Sequence, residues 1–130
     1  MSEQIMVPYV DPTEQLVVEL SVGNLTRSVT FYRALGFDLL REEERFAVLA
    51  WEGHQLFLQQ ADHLPEPPAT AVINLRVMVP DVDQTWQRAT ELRPRIIVPI
   101  GDRRYGLRDF TIADLDGFEL RFATRLRAVC

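Results

Sequence analysis

The sequence predicts an α+β fold made of two βαβββ modules with eight strands in all, whose open sheet faces can be covered by packing against each other or by joining the sheets. The main observation is an internal repeat. A strand-like segment that ends in a helix-capping residue occurs twice, 57 residues apart, and each copy is followed by one helical pattern and three further strand-like segments. The chain has 130 residues, 47% hydrophobic and 25% charged, and this composition is typical of one globular domain.

Each copy of the repeat begins with a strand that leads into a helix. Residues 18–22 and 75–79 alternate as half-buried strands do. Asn24 and Asp81 come next, and their side chains can accept hydrogen bonds from first-turn N–H groups of a helix. Apolar residues then recur at helical spacing, which predicts one amphipathic helix per module with a buried stripe. The two stripes are Leu25, Val29, Tyr32 and Leu35, and Val82, Trp86, Ala89 and Leu92.

Three strands are predicted after each helix. The first helix is expected to end at Gly36 and the second just before Pro94. The predicted strands are residues 37–41, 45–51 and 55–59, and residues 95–100, 108–113 and 119–123. The turns at Gly53 and Gly117 are 64 residues apart rather than 57, so the second copy holds seven extra residues around positions 99–106. A loop enlarged in one copy is a candidate for ligand contacts, because loops tolerate insertion and carry function.

The chain is interpreted as a single domain over residues 1–130. Module one spans about 14–60, a proline-rich linker spans 61–69, and module two spans about 70–125. The first dozen residues are expected to form an arm or an extra edge strand.

Charge and composition exclude several classes of function. The net charge is −5, and an acidic surface repels phosphate backbones, so nucleic acid is not an expected partner. No apolar run approaches the roughly 20 residues that cross a bilayer, and no secretory signal is visible, so a cytoplasmic location is expected. All 14 basic residues are arginine, which excludes lysine Schiff-base chemistry and a P-loop lysine. The single cysteine, Cys130, permits no internal disulfide.

Strand alternation places a mostly polar row of side chains on the sheet face turned away from the helices. This row holds Val17, Glu19, Ser21, Gln55, Phe57, Gln59, Asn74, Arg76, Met78, Glu119, Arg121 and Ala123. A concave binding face and an ordinary solvated sheet face fit this pattern equally well.

Two segments carry a family resemblance. Residues 22–37, VGNLTRSVTFYRALGF, resemble the first module of the vicinal oxygen chelate superfamily, which includes glyoxalase I, fosfomycin-resistance proteins, extradiol dioxygenases and bleomycin-resistance proteins. Residues 105–122, YGLRDFTIADLDGFELRF, are similar to the closing hairpin of that superfamily, with Leu115 in place of its usual proline, and their lead-in is most similar to bleomycin-resistance-type members. The resemblance covers residues 15–125 and implies the glyoxalase/bleomycin resistance fold, in which the eight strands form a mixed, U-shaped sheet around a cleft. It also implies a homodimer.

The resemblance also implies where a metal would bind. Enzymes of the superfamily hold a divalent metal at the bottom of the cleft, usually through His, Gln or Glu. The matching positions here are Val17, Phe57, Asn74 and Arg121. Valine and phenylalanine have no donor atom, arginine is cationic, and asparagine offers one neutral carbonyl. We therefore expect no metal, no cofactor and no catalytic residue. His54 and His63 lack the spacing of a metal site.

The predicted ligand-binding residues lie on the polar face or at its rim, and they are Arg121, Tyr105, Phe57, Asn74, Glu19, Arg76 and Trp51. The planar fork of Arg121 suits a carboxylate, a phosphate or a carbonyl-rich ligand. The alternative is that Arg121 only closes a polar network with Glu19 or Asn74.

Three aromatic residues and two loop arginines complete the candidate site. Tyr105 matches a cleft aromatic of bleomycin-resistance-type members and could stack on a flat ligand. Phe57 could do the same, or pack against the other module. Trp51 is expected at the cleft rim or in a dimer contact. Arg103 and Arg104 are expected to be solvated or to close over an anionic ligand.

The main functional hypothesis is a metal-free protein that sequesters an antibiotic or a metabolite in a dimer cleft, with enzymatic activity left open. The alternative is a metal-dependent glyoxalase-like lyase or dioxygenase with atypical ligands such as Glu19, Glu119 or His54. A third hypothesis is a regulatory module whose vacant cleft binds a protein.

Overall fold

The computed structural model describes residues 7–127, and it confirms the βαβββ order in both halves of the chain. Module one consists of β1 (Val18–Val22), α2 (Leu25–Leu35), β2 (Asp38–Glu42), β3 (Phe46–Trp51) and β4 (His54–Gln60), preceded by a one-turn helix α1 (Pro12–Gln15). Module two consists of β5 (Asn74–Met78), α3 (Val82–Glu91), β6 (Ile96–Asp102), β7 (Leu107–Ala113) and β8 (Glu119–Arg125). None of the helices in this part of the chain has the length and apolar character needed to cross a bilayer.

Each module forms its own four-stranded mixed sheet. The strand orders are β1-β4-β3-β2 and β5-β8-β7-β6, and in each sheet the first pair of strands is parallel while the others are antiparallel. Within residues 7–127 no strand of one sheet pairs with a strand of the other, so the predicted eight strands form two sheets rather than one continuous sheet. Each of β1 and β5 pairs with one strand of its own sheet and forms a sheet edge, while the two modules contact each other through α2 and α3.

The predicted helix caps are present. The Asn24 side chain accepts a hydrogen bond from the Arg27 N–H at 3.0 Å, and the Asp81 side chain accepts one from the Gln84 N–H at 3.2 Å. Gly36 ends α2 with φ at +116°, a left-handed conformation that glycine adopts at little cost.

One hydrophobic core lies between the modules and fills both helix-bearing sides. The predicted stripe of α2 is fully confirmed, since Leu25, Val29, Tyr32 and Leu35 are all buried. The stripe of α3 is confirmed only in part. Its buried residues are Val82, Thr85 and Ala89. Thr85, rather than the predicted Trp86, therefore faces the core at the middle of the helix. Trp86 therefore lies at the flank of the helix, half-buried, with its ring centroid 4.9 Å from that of Phe110.

Two hydrogen bonds join the modules at the end of β7. The hydroxyl of Tyr32 on α2 donates to Oδ2 of Asp114 at 2.7 Å. The N–H of Gly23 donates to Oδ1 of Asp116 at 3.1 Å. The hairpin turn of module two is thereby fixed against the start and the middle of α2.

Of the two alternatives predicted for the first dozen residues, the edge strand is excluded for residues 7–12. Asp11 accepts a hydrogen bond from Thr13 N–H and Pro12 stands in the first turn, which favours a turn of helix. The arm stays a prediction, and residues 1–6 lie outside the described part. A second prediction about an irregular segment is wrong. The extra residues at 99–106 do not form one enlarged loop. Strand β6 extends to Asp102, and its pairing with β7 is irregular at two places. These irregularities accommodate most of the extra residues, and a turn at 103–106 contains the rest.

Candidate functional site

The predicted polar face is present on the second sheet. In the parallel pair β5–β8, Asn74 lies opposite Glu119, and Arg76 lies opposite Arg121. Their neighbours on the other side, including Val77 and Phe122, are buried in the core. Side chains of opposite residues share a face, so alternation assigned this strand pair correctly.

A cavity of about 820 Å³ opens on this face. Its main lining residues are Arg76, Met78, Tyr105, Leu107, Arg121 and Arg125. The structure thus brings together three of the predicted site residues, namely Arg121, Tyr105 and Arg76. They come from β8, from the turn before β7, and from β5.

The floor of this cavity is organised by Asp109, a residue to which the sequence reasoning gave no role. Asp109 is only 2% exposed. Its Oδ2 lies 3.0 Å from both Nε and Nη2 of Arg121, and its Oδ1 lies 2.7 Å from Nε of Arg103. The hydroxyl of Tyr105 donates a third hydrogen bond, to Oδ2. We call these four residues the Asp109 network.

The Asp109 network corrects two predictions. The polar partner of Arg121 is Asp109, and neither Glu19 nor Asn74 is bonded to it. Arg103 is not solvated but held over Asp109, with a second hydrogen bond to the Pro99 carbonyl oxygen. The reason in both cases is that a buried carboxylate requires charged partners, and the long arginine side chains reach it diagonally across the sheet.

The network fixes the protonation of its members. Burial alone would raise the pKa of the Asp109 carboxyl, but hydrogen bonds from Arg103, Tyr105 and Arg121, together with the charge of Arg121, outweigh burial and lower it. The hydrogen bond to Asp109 raises the pKa of the Tyr105 hydroxyl. The Arg121 guanidinium also lies 5.0 Å from the centroid of the Tyr105 ring, a favourable cation–π distance.

Three other predicted residues lie outside this cavity. Phe57 is on the open face of the first sheet, where its ring packs edge-on against Phe46 with centroids 5.2 Å apart. Glu19 stands beside Phe57 in the strand register and is exposed. Asn74 is exposed at the start of β5, beside Glu119.

Trp51 borders a second, smaller cavity between the modules. It is half-buried, with its ring 5.2 Å from that of Phe37. The cavity has a volume of about 440 Å³ and is mostly apolar, with His54 at its edge. Arg76 and Met78 border both cavities, so the strand β5 separates them.

The residues at the four implied metal positions do not fit a divalent ion. Arg121 places a permanent positive charge there and already donates to Asp109. Val17 and Phe57 contribute carbon atoms only. Among residues 7–127 no group of three or more His, Cys, Asp or Glu side chains is arranged to hold a metal, and the atypical ligands considered above, Glu19, Glu119 and His54, form no such group.

Comparison with known proteins agrees with this geometry. The sequence profile of the Glyoxalase/Bleomycin resistance protein/Dioxygenase superfamily matches residues 14–122. The chain belongs to this superfamily. A search of curated proteins found no significant match.

Several solved structures share the fold. TioX from Micromonospora sp. ML1 superimposes with a TM-score of 0.68 at 28% identity, over 85% of this chain and 98% of TioX. The bleomycin resistance determinant encoded on transposon Tn5 gives 0.69 at 17% identity, over 86% and 98%. The fosfomycin resistance protein FosX from Listeria monocytogenes gives 0.71 at 15% identity, over 92% and 94%.

Proposed function

We propose that this chain is a metal-free small-molecule-binding protein of the glyoxalase/bleomycin resistance type, which sequesters an antibiotic or a metabolite. The observation that carries the proposal is the Asp109 network. At a position where enzymes of the superfamily hold a metal ligand, this chain has Arg121, fixed by a buried carboxylate and stacked near Tyr105.

The protonation states in the cavity favour binding over catalysis. A general acid or base works best with a pKa near the ambient pH. The pKa of Asp109 is lowered and the pKa of Tyr105 is raised, so both values lie further from the ambient pH than the ordinary ones. Arginine stays charged throughout. These residues provide fixed hydrogen-bond donors and an aromatic ring, the groups that typically orient a ligand in a binding pocket.

A homodimer in the cytoplasm is part of the proposal. The cavity is open to the outside on the second sheet, while the predicted aromatic partner Phe57 lies on the first sheet of the same chain. A second copy that places its first sheet beside this cavity would bring Phe57 to its rim.

The test is binding to a panel of flat aromatic compounds, measured as an increase in melting temperature, since a ligand that binds the native state stabilises it. We expect Arg121→Gln to abolish the stabilisation and to leave the circular dichroism spectrum unchanged. Arg27→Gln on the exposed side of α2 removes the same charge elsewhere and is the matched control. Unchanged binding by Arg121→Gln would refute the role of Arg121.

Metal analysis addresses the competing lyase or dioxygenase. Protein purified without a histidine tag and exposed to Zn²⁺, Mn²⁺, Ni²⁺ or Fe²⁺ is expected to retain less than stoichiometric metal after gel filtration. One tightly bound ion per chain would return the assignment to metal-dependent catalysis.

A further inference from the structure

The cavity above the Asp109 network is strongly positive in an otherwise acidic protein. Three arginines line it, Arg76, Arg121 and Arg125, and no carboxylate does. Beneath them, Arg103 and Asp109 form an ion pair of zero net charge. Glu119, an acid on the same strand, stands two residues before Arg121 on β8 and beside Asn74, outside the lining. The chain as a whole carries −5, so this positive charge is local.

Two of these arginines are placed directly opposite each other. Arg76 and Arg121 are partners in the register of β5 and β8, so both side chains leave the same face of adjacent strands. Like charges directly opposite destabilise a sheet. Arg121 forms an ion pair with Asp109, which reduces this repulsion. Within residues 7–127, neither Arg76 nor Arg125 forms an ion pair with a carboxylate. A counter-charge from outside the chain would remove the repulsion.

We propose that the ligand of this cavity is a small organic anion, whose acidic group bridges the guanidinium groups of Arg76 and Arg121. This inference rests on the proposed binding function and adds the ligand class. Asp109 accepts a hydrogen bond from Nε of Arg121 and lies 3.0 Å from its Nη2. Within residues 7–127, Nη1 of Arg121 and the whole fork of Arg76 are therefore left to hold carboxylate or phosphate oxygens. Arg125, four residues further along β8, adds charge at the mouth.

The apolar part of the ligand has its own contacts. Met78, Leu107 and the Tyr105 ring line the same cavity, and Tyr105 is 61% exposed although its hydroxyl is bonded to Asp109. An exposed ring held at its hydroxyl end is a rigid surface for stacking. The site therefore favours an aromatic or alicyclic acid over inorganic phosphate or a long aliphatic chain.

The experiment compares ligands that differ only in charge. Sets of matched compounds, such as 2-naphthoate, 2-naphthamide and 2-naphthylmethylamine, are titrated into the full chain by calorimetry at constant ionic strength, with 2-naphthyl phosphate as a second anion. We expect the anions to bind and the amide and the amine to bind at least about tenfold more weakly, as loss of a charge-assisted hydrogen bond predicts.

Substitutions locate the effect. Arg76→Gln is expected to weaken binding of the anions by about tenfold or more, and Arg76→Lys by less, because it keeps the charge and loses the fork. Arg27→Gln, the same change of charge on α2, is expected to leave binding unchanged. Arg76 is exposed, so its variants are expected to fold.

The outcomes separate the two proposals. If the amide or the amine binds as tightly as the anion and Arg121→Gln abolishes binding, the anion class is wrong and the binding function stands. If the anions bind, and the Arg76→Gln variant binds them as tightly as the Arg27→Gln variant does, the proposed bridging by Arg76 is wrong. If no compound of any charge binds, both proposals fail.

Discussion

Asp109 shows how one buried carboxylate can position side chains of a cavity that it does not itself line. It holds two arginines and a tyrosine in fixed positions, and its single negative charge leaves one of the two guanidinium charges unbalanced. The prediction from sequence found Arg121, Arg76 and Tyr105 because alternation and the family resemblance report which face a residue occupies. It missed Asp109 because alternation says nothing about diagonal contacts. In the antiparallel register Arg121 lies opposite Thr111, and Asp109 is two residues away.

Replacing Asp109 by Asn tests this role in stability. The change keeps the shape but removes the charge that three donors share, and we expect the free energy of unfolding at pH 7 to fall by about 1–3 kcal/mol. The pKa of Asp109 is lowered in the folded state, so its stabilisation exists above the ordinary value of 3.8 and is lost as the pH falls through the folded pKa. Urea unfolding at pH 7 and in acid should therefore show a difference that shrinks on acidification. A constant difference would contradict the assignment.

The sequence predicted both the position and the buried face of α2, but only the position of α3. Both helices begin at the predicted caps, because a cap is a local feature of the sequence. The buried face of α3 was misjudged because its central residue, Thr85, is polar and does not register in an apolar pattern. Both strands of the β6–β7 hairpin were predicted, but the end of β6 was interpreted as part of an enlarged loop at residues 99–106, since two irregular pairing steps are not visible in residue type.

The half-burial of Trp86 sets the cost of truncating it. Fully buried aromatic residues lose about 3–5 kcal/mol on replacement by alanine, and at this flank position we expect Trp86→Ala to cost about 2 kcal/mol. Phe110→Ala, at a site with 0% exposure under the same ring, is the comparison and should cost the full amount. Chemical denaturation measures both. Equal losses would show that Trp86 is as buried as the sequence first suggested.

The end of α2 offers a paired test of backbone and packing. Gly36 has φ at +116°, and a Cβ there would lie 3.0 Å from Cζ3 of Trp51; Gly106 has φ at +88° and open space around it. Both Gly→Ala variants carry the backbone penalty of about 1 kcal/mol. We expect Gly36→Ala to cost more, through displacement of Trp51, and tryptophan fluorescence should shift only in that variant. If both lose equal stability with no spectral change, the contact with Trp51 is not tight.

For the whole molecule, the repeat predicted the two modules but not how they dock. Docking depends on contacts such as Tyr32–Asp114, which join residues 82 positions apart and have no local signature. Asp114 is 8% exposed. Burial raises the pKa of its carboxyl, and hydrogen bonds from Tyr32 and from the N–H groups of Phe118 and Asp116 only partly offset this.

Asp114 should therefore respond to pH in the opposite sense to Asp109. Because its folded pKa is raised, its favourable contribution is present below 3.8 and is lost as the pH rises through the folded pKa. Asp114→Asn does not titrate and can keep the hydrogen bonds, with Tyr32 now accepting. We expect wild type to lose stability relative to Asp114→Asn as the pH rises from 3.5 to 7, measured by urea unfolding. A difference that grows in favour of wild type over this range would contradict the raised pKa.

The irregular connection at residues 61–73 has a consequence for the autonomy of the two halves. Besides packing on their own sheets, α2 and α3 contact each other, and the buried residues of both modules form one shared hydrophobic core, so a polypeptide cut in this connection yields two fragments that each expose part of that core. Neither fragment is expected to persist as a folded monomer. Mixed in equal amounts, they should reassemble into a nicked heterodimer with the native circular dichroism spectrum.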